Sequence, residues 1–221
     1  MRPETILTTL VISLTMVLEA CSSPTSKPDS EVAKFFAGQN KTVVTFVGYS
    51  GAGYEDEASM LASAREVLSD HDPGATIVNI GATEDGIGAV YELAKYRGFE
   101  TTGIVSTQAK EYGATISASV DHVFFVEDDS WGGLIAGTDQ LSPTSEAMVG
   151  FSDVVVAIGG GEVARDELLA AQARGKATRF FAADMNHAIA REKAHRKEQP
   201  EPTDFRGAAG AVFGGLEKPR G

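Results

Sequence analysis

Val154-Val155-Val156-Ala157-Ile158-Gly159-Gly160-Gly161-Glu162-Val163-Ala164-Arg165-Asp166-Glu167 is the stretch from which the fold can be read. Its first five residues are apolar and mostly β-branched, with no polar position between them, as in a strand covered on both faces of a parallel sheet. Three consecutive glycines then cost chain entropy unless something requires a bare backbone. Helical spacing follows, and a strand–glycine–helix passage leaves backbone N–H groups at a helix start, where they attract an anion. Gly159, Gly160 and Gly161 are therefore candidate phosphate-binding residues. Arg165 and Asp166 fall in the first turns of that helix, where one could contact a phosphate and the other a sugar or base. The alternative is that both are surface charges.

The same passage occurs twice more. Residues 43–47 read as a strand and run into Gly48-Tyr49-Ser50-Gly51-Ala52-Gly53-Tyr54, where Gly48, Gly51 and Gly53 allow a sharp turn and Ser50 offers a hydroxyl. Residues 76–80 run into Gly81-Ala82-Thr83-Glu84-Asp85-Gly86-Ile87-Gly88-Ala89, with Gly81, Gly86 and Gly88 as the candidates. Glu84 and Asp85 read as solvated turn residues or as partners for a ribose hydroxyl. Further strands are expected at 102–105, 123–126, 154–158 and 179–182, and helices at 57–69, 87–97, 144–151, 163–174 and 186–197. In the first of these helices Leu61, Ala64, Val67 and Leu68 share one face, which is core. Strands alternating with helices predict an α/β, Rossmann-like three-layer fold with a mostly parallel sheet, whose glycine turns line its carboxyl edge.

That order of motifs, a strand ending in Gly-x-Ser-Gly, a loop containing Gly-Ile-Gly-Ala-Val, and a strand ending in Gly-Gly, resembles the Lonely Guy or lysine-decarboxylase-like Rossmann proteins over residues 42–186. The resemblance implies binding of nucleoside 5'-monophosphates. It also implies, in members that are enzymes, phosphoribohydrolase cleavage of the N-glycosidic bond; such proteins are commonly homodimers. Set from Ile158, the family motif Pro-Gly-Gly-x-Gly-Thr-x-x-Glu keeps Gly159 and Gly160, puts Glu162-Val163 in place of Gly-Thr, and ends on Asp166 as the catalytic carboxylate. The family's arginine and lysine fall on Thr144 and Ser145, while Met148 keeps a methionine position. Each such loss costs a factor of about a hundred in rate, so retained binding with degenerate catalysis is expected. Glu162 adds a charge that repels phosphate. Two alternatives stand beside this: a phosphoribohydrolase using Asp166, and a tethered interaction protein with a vestigial pocket.

Composition bounds the rest. A chain of 221 residues with 43% hydrophobic content suits one domain with a sizeable core, and a net charge of −12 argues against a nucleic-acid partner. No motif calls for a cofactor, and no Cys/His spacing calls for a metal. His122 and His187 read as structural, and Trp131 either stacks on a base at the sheet edge or covers the core margin. Residues 6–18 are apolar, and Leu18-Glu19-Ala20-Cys21 resembles a bacterial lipobox. The expected organisation is a lipoprotein signal peptide (1–20), a flexible linker (21–40), a nucleotide-binding domain (41–197) and a tail (198–221). Lipidation at Cys21 makes this a membrane-anchored, extracytoplasmic protein. The alternative is an uncleaved segment or an upstream start on a cytoplasmic one.

Overall fold

A computed structural model describes residues 31–215. The expected signal segment and Cys21 lie outside the described residues, as do 22–30 and the last six residues. Six strands, β1 (Thr42–Gly48), β2 (Thr76–Ile80), β3 (Glu100–Ser106), β4 (His122–Val126), β5 (Val154–Ile158) and β6 (Ala177–Phe181), form one sheet in the order β4-β3-β2-β1-β5-β6. Every pairing is parallel. The helices are α1 (Glu31–Ala37), α2 (Glu57–Ser69), α3 (Ala89–Tyr96), α4 (Gln108–Glu111), α5 (Pro143–Phe151), α6 (Glu162–Ala173), α7 (His187–Arg196) and α8 (Gly207–Phe213). The fold is thus the expected three-layer α/β arrangement.

Both faces of the sheet are covered. Val44, Phe46, Val156 and Ile158 point into a core closed by Met60, Leu68, Val90 and Tyr91 of α2 and α3. Val47, Val155 and Ala157 point the other way, toward Val32, Met148, Leu168 and Phe213 of α1, α5, α6 and α8. Period-two alternation across a doubly covered sheet is why the strands read as unbroken apolar runs. Inside it lies a polar ladder: Thr45, Asn79 and Thr102 are register partners on β1, β2 and β3. Asn79 donates from Nδ2 to Thr45 Oγ1 (3.1 Å) and accepts from Thr102 Oγ1 (3.0 Å). A one-residue slip would leave these buried groups unpaired, so the ladder fixes the register beneath the carboxyl edge.

Two segments differ from expectation. Residues 31–37, assigned to a linker, form α1, because Val32, Phe35 and Phe36 share a helical face; Val32 is buried and Phe36 stacks on Phe151 at 5.1 Å. Residues 207–213, assigned to a tail, form α8, which buries Ala209 and Phe213 and donates from Ala209 N–H to Gly160 O (3.1 Å). Both helices have seven residues, too short to form alone, and exist through the core they cover. The strand expected at 179–182 starts and ends earlier, at Ala177–Phe181.

Candidate functional site

The chain crosses from one side of β1 to the other between β4 and β5, which makes the β1 and β5 turns neighbours. Two tyrosines fill the space between them. Tyr54 Oη accepts from Tyr49 N–H (3.1 Å) and donates to Ile158 O (2.8 Å), and burial raises its pKa. A methyl group on Gly48 would collide with that hydroxyl, and one on Gly160, at φ +122°, with Ala164. Added side chains on Gly86, Gly88 and Gly159 would likewise run into backbone carbonyls, of Tyr49, Thr83 and Ala183. At these five positions the bare backbone serves the packing of the chain against itself. Gly51, Gly81 and Gly161 face open space, and Gly53 turns at φ +60° to bring its carbonyl to Asn186 N–H (3.3 Å).

Open volume lies over the ends of β1, β2 and β3, as a cavity of about 350 Å³. Phe46, Ile80, Ile104 and Met148 make its apolar wall; Ser50, Thr83, Ser106 and Thr144 contribute polar side chains; Val163, Ala164 and Glu167 of α6 close one side, and Trp131 stands at the wall beside them. Of the residues picked from sequence, Gly48, Ser50 and Gly81 line this space. Gly51, Gly53, Gly86, Gly88, Gly159, Gly160, Gly161, Arg165 and Asp166 do not. No side chain caps α6, so its first-turn N–H groups are left over beside the cavity.

Asp166 is engaged elsewhere: Oδ1 takes Arg165 Nε (2.8 Å), and Oδ2 accepts from Leu134 N–H (3.2 Å). The carboxyl in the cavity wall belongs to the next residue. Glu167 is 4% exposed, and its Oε1 accepts from Ser145 Oγ (2.6 Å), which accepts in turn from Gly133 N–H (2.7 Å). Burial raises the Glu167 carboxyl to about 7, against the pull of the Ser145 hydrogen bond and with a smaller push from the Asp166 charge. Sequence reasoning passed over this residue. With three glycines in a row the family motif can be set from Gly159 as well as from Ile158, and from Gly159 it ends on Glu167. Helical spacing does not choose between the two, since Asp166 and Glu167 lie three and four residues after Val163 and both neighbour it on α6; the packing of α6 against Ser145 and the cavity does. Glu162 is exposed and outside the cavity wall.

A second helix start at the cavity, that of α5, is filled by the protein's own carboxylate. Asp128 Oδ2 accepts from Thr144 N–H (2.8 Å) at the head of α5, and Oδ1 accepts from Ser130 N–H (2.9 Å) and Oγ (2.7 Å). Burial alone would raise the Asp128 carboxyl; these bonds from Thr144 and Ser130 outweigh it and hold the group below the usual carboxylate range. Thr144 and Ser145, where the sequence resemblance would put an arginine and a lysine, thus serve the cavity wall and the Glu167 hydrogen bond. His122 lies against Phe35 (4.8 Å) and Glu100 (3.1 Å), and His187 stacks on Phe205 (3.9 Å), both outside the cavity.

No protein-family model and no curated protein matches the sequence. Among solved structures the chain is similar to a structural-genomics protein designated TM1055, at 21% identity and a TM-score of 0.45 over 62% of this chain and 72% of that one. It is also similar to a molybdenum cofactor binding protein from Rippkaea orientalis (16% identity, TM-score 0.46, 63% and 76% covered). A third similar structure is the molybdenum cofactor carrier protein of Chlamydomonas reinhardtii (20% identity, TM-score 0.45, 80% and 99% covered). Likeness at that level says nothing of what this chain binds.

Proposed function

We propose that the protein binds a small phosphorylated metabolite, of nucleoside monophosphate type, in the cavity over β1, β2 and β3, and that its hydrolytic chemistry is degenerate. The observation that carries this reading is a cavity of about 350 Å³, within the range of small-molecule sites, at the sheet edge where open α/β folds hold ligands. Its apolar wall suits a base. The uncapped start of α6 supplies N–H groups to an anionic group without a basic side chain. The experiment is mass spectrometry of small molecules released when the purified protein is denatured. A phosphorylated compound in near-equal amount to protein supports the reading, and recovery of unphosphorylated compounds alone counts against it.

One observation favours a second reading, the phosphoribohydrolase. A buried carboxyl at about 7 in the cavity wall is suited to hold a proton for a leaving base and to give it up near neutral pH. Here Glu167, with Oε1 steadied by Ser145, takes the part assigned from sequence to Asp166. Release of free base from nucleoside 5'-monophosphates, lost in Glu167→Gln and kept in Asp166→Asn, would establish it. The extracytoplasmic location through Cys21 belongs to the same proposal; fatty-acid labelling that disappears in Cys21→Ala tests it.

A further inference from the structure

Trp131 is the single tryptophan of the chain, and it is 54% exposed while forming part of the cavity wall. A large apolar ring left half in water at the mouth of an apolar cavity gains by being covered, and indole is the side chain best suited to cover a flat π-system. Its position is built rather than incidental. Asp128 holds Ser130, Ser130 Oγ accepts from Gly132 N–H (3.2 Å), and Gly133 N–H is bound to Ser145, so the loop on both sides of the ring is tied to the head of α5. Gly132 and Gly133 take φ of +114° and +84°, which lets the backbone lie against Ser145, Val163 and Asp166; a side chain there would be strained at these angles and would crowd those neighbours. Tyr112, 68% exposed on the segment after α4, sets its ring 5.9 Å from the indole, tilted by 44°, and supports it from the side.

We infer that Trp131 is a ligand-binding residue that stacks on a planar heteroaromatic group, and that this stacking selects base-bearing phosphates over plain sugar phosphates. The inference rests on the binding reading above and assigns the part of the ligand nearest the mouth. The polar side chains of Ser50, Thr83 and Thr144 are then left to the edge of the ring and to the sugar. Stacking of a base on an aromatic side chain corresponds to about a 5- to 150-fold effect on affinity when the ring is removed.

The test compares adenosine 5'-monophosphate with ribose 5-phosphate on wild type, Trp131→Phe and Trp131→Ala. Wild-type binding is followed by tryptophan fluorescence, which reports this one site, and binding to all three proteins by calorimetry. The expected result is quenching by the nucleotide and not by the sugar phosphate. The nucleotide should bind at least tenfold tighter than the sugar phosphate, with that preference kept in Trp131→Phe and lost in Trp131→Ala, while ribose 5-phosphate affinity is unchanged in all three. Equal affinities for the two probes, or a preference that survives in Trp131→Ala, overturns the stacking and leaves the binding reading standing. Failure of both probes to bind wild type overturns both.

Discussion

Replacing Glu167 by glutamine keeps the shape of the side chain and the oxygen that accepts from Ser145, and removes the ionisation. In the wild type the carboxyl stays protonated to about 7 in the folded protein, against an ordinary value of 4.5. As pH rises from about 4.5 the unfolded chain releases this proton first and the folded protein keeps it, so folding stability falls through the window up to about 7 and is level above it. The full fall is about 3 kcal/mol, most of it between pH 5 and pH 8. Glu167→Gln has no such proton to lose. Urea unfolding of both proteins at pH 5, 6, 7 and 8 should therefore show the variant gaining on the wild type at each step, until its advantage has grown by about 2 to 3 kcal/mol. A difference that stays constant over that range would refute the burial of this carboxyl and its place in the cavity wall.

Other outcomes follow from the same geometry. Tyr54→Phe strips a partner from both Tyr49 N–H and Ile158 O and should cost about 2 kcal/mol or more, read as a lower urea midpoint at unchanged slope. Asp128→Ala uncaps α5 and frees the loop that carries Trp131, at a cost of about 1–2 kcal/mol at pH 7. Because the Asp128 carboxyl is held low, the stability it supplies is lost as pH falls below the ordinary carboxylate range, so the gap between variant and wild type should close in acid. Gly160→Ala, which would collide with Ala164 at a positive φ, should destabilise the fold measurably by calorimetric melting. Gly161→Ala has open space for its methyl but changes the N-cap of α6, so it should cost no more than about 1 kcal/mol and lower the melting midpoint less than Gly160→Ala.

The strands were legible because a sheet covered on both faces demands apolar runs, and Val154–Ile158 can hardly be anything else between a glycine triplet and the preceding Ser152-Asp153. The glycine turns were legible as turns but not as to purpose. Whether Gly48 makes room for a ligand or for the Tyr54 hydroxyl depends on which strand lies beside β1, and that neighbour, β5, comes more than a hundred residues later. Helices α1 and α8 were missed because seven residues carry too little periodicity to compete with a polar, proline-bearing context; contacts with Phe151 and Gly160 decide them. Glu167 was hidden by a register ambiguity of one residue. Trp131 was visible as a residue with two possible uses, and only the cavity beside it favours one of them.

The cavity can be narrowed at a glycine in its own wall. Gly81, just after β2, lines it and has room for a Cβ with nothing within 4 Å, so Gly81→Leu is the variant expected to obstruct the space. Calorimetric titration of wild type and Gly81→Leu with a panel of nucleoside 5'-monophosphates is the most direct measurement. The account predicts that at least one of them binds the wild type with one-to-one stoichiometry and fails to bind the filled variant, whose melting temperature stays close to wild type. Equal binding to both proteins would place the ligand elsewhere on the molecule, and no binding by any of them to the wild type would contradict the nucleotide reading.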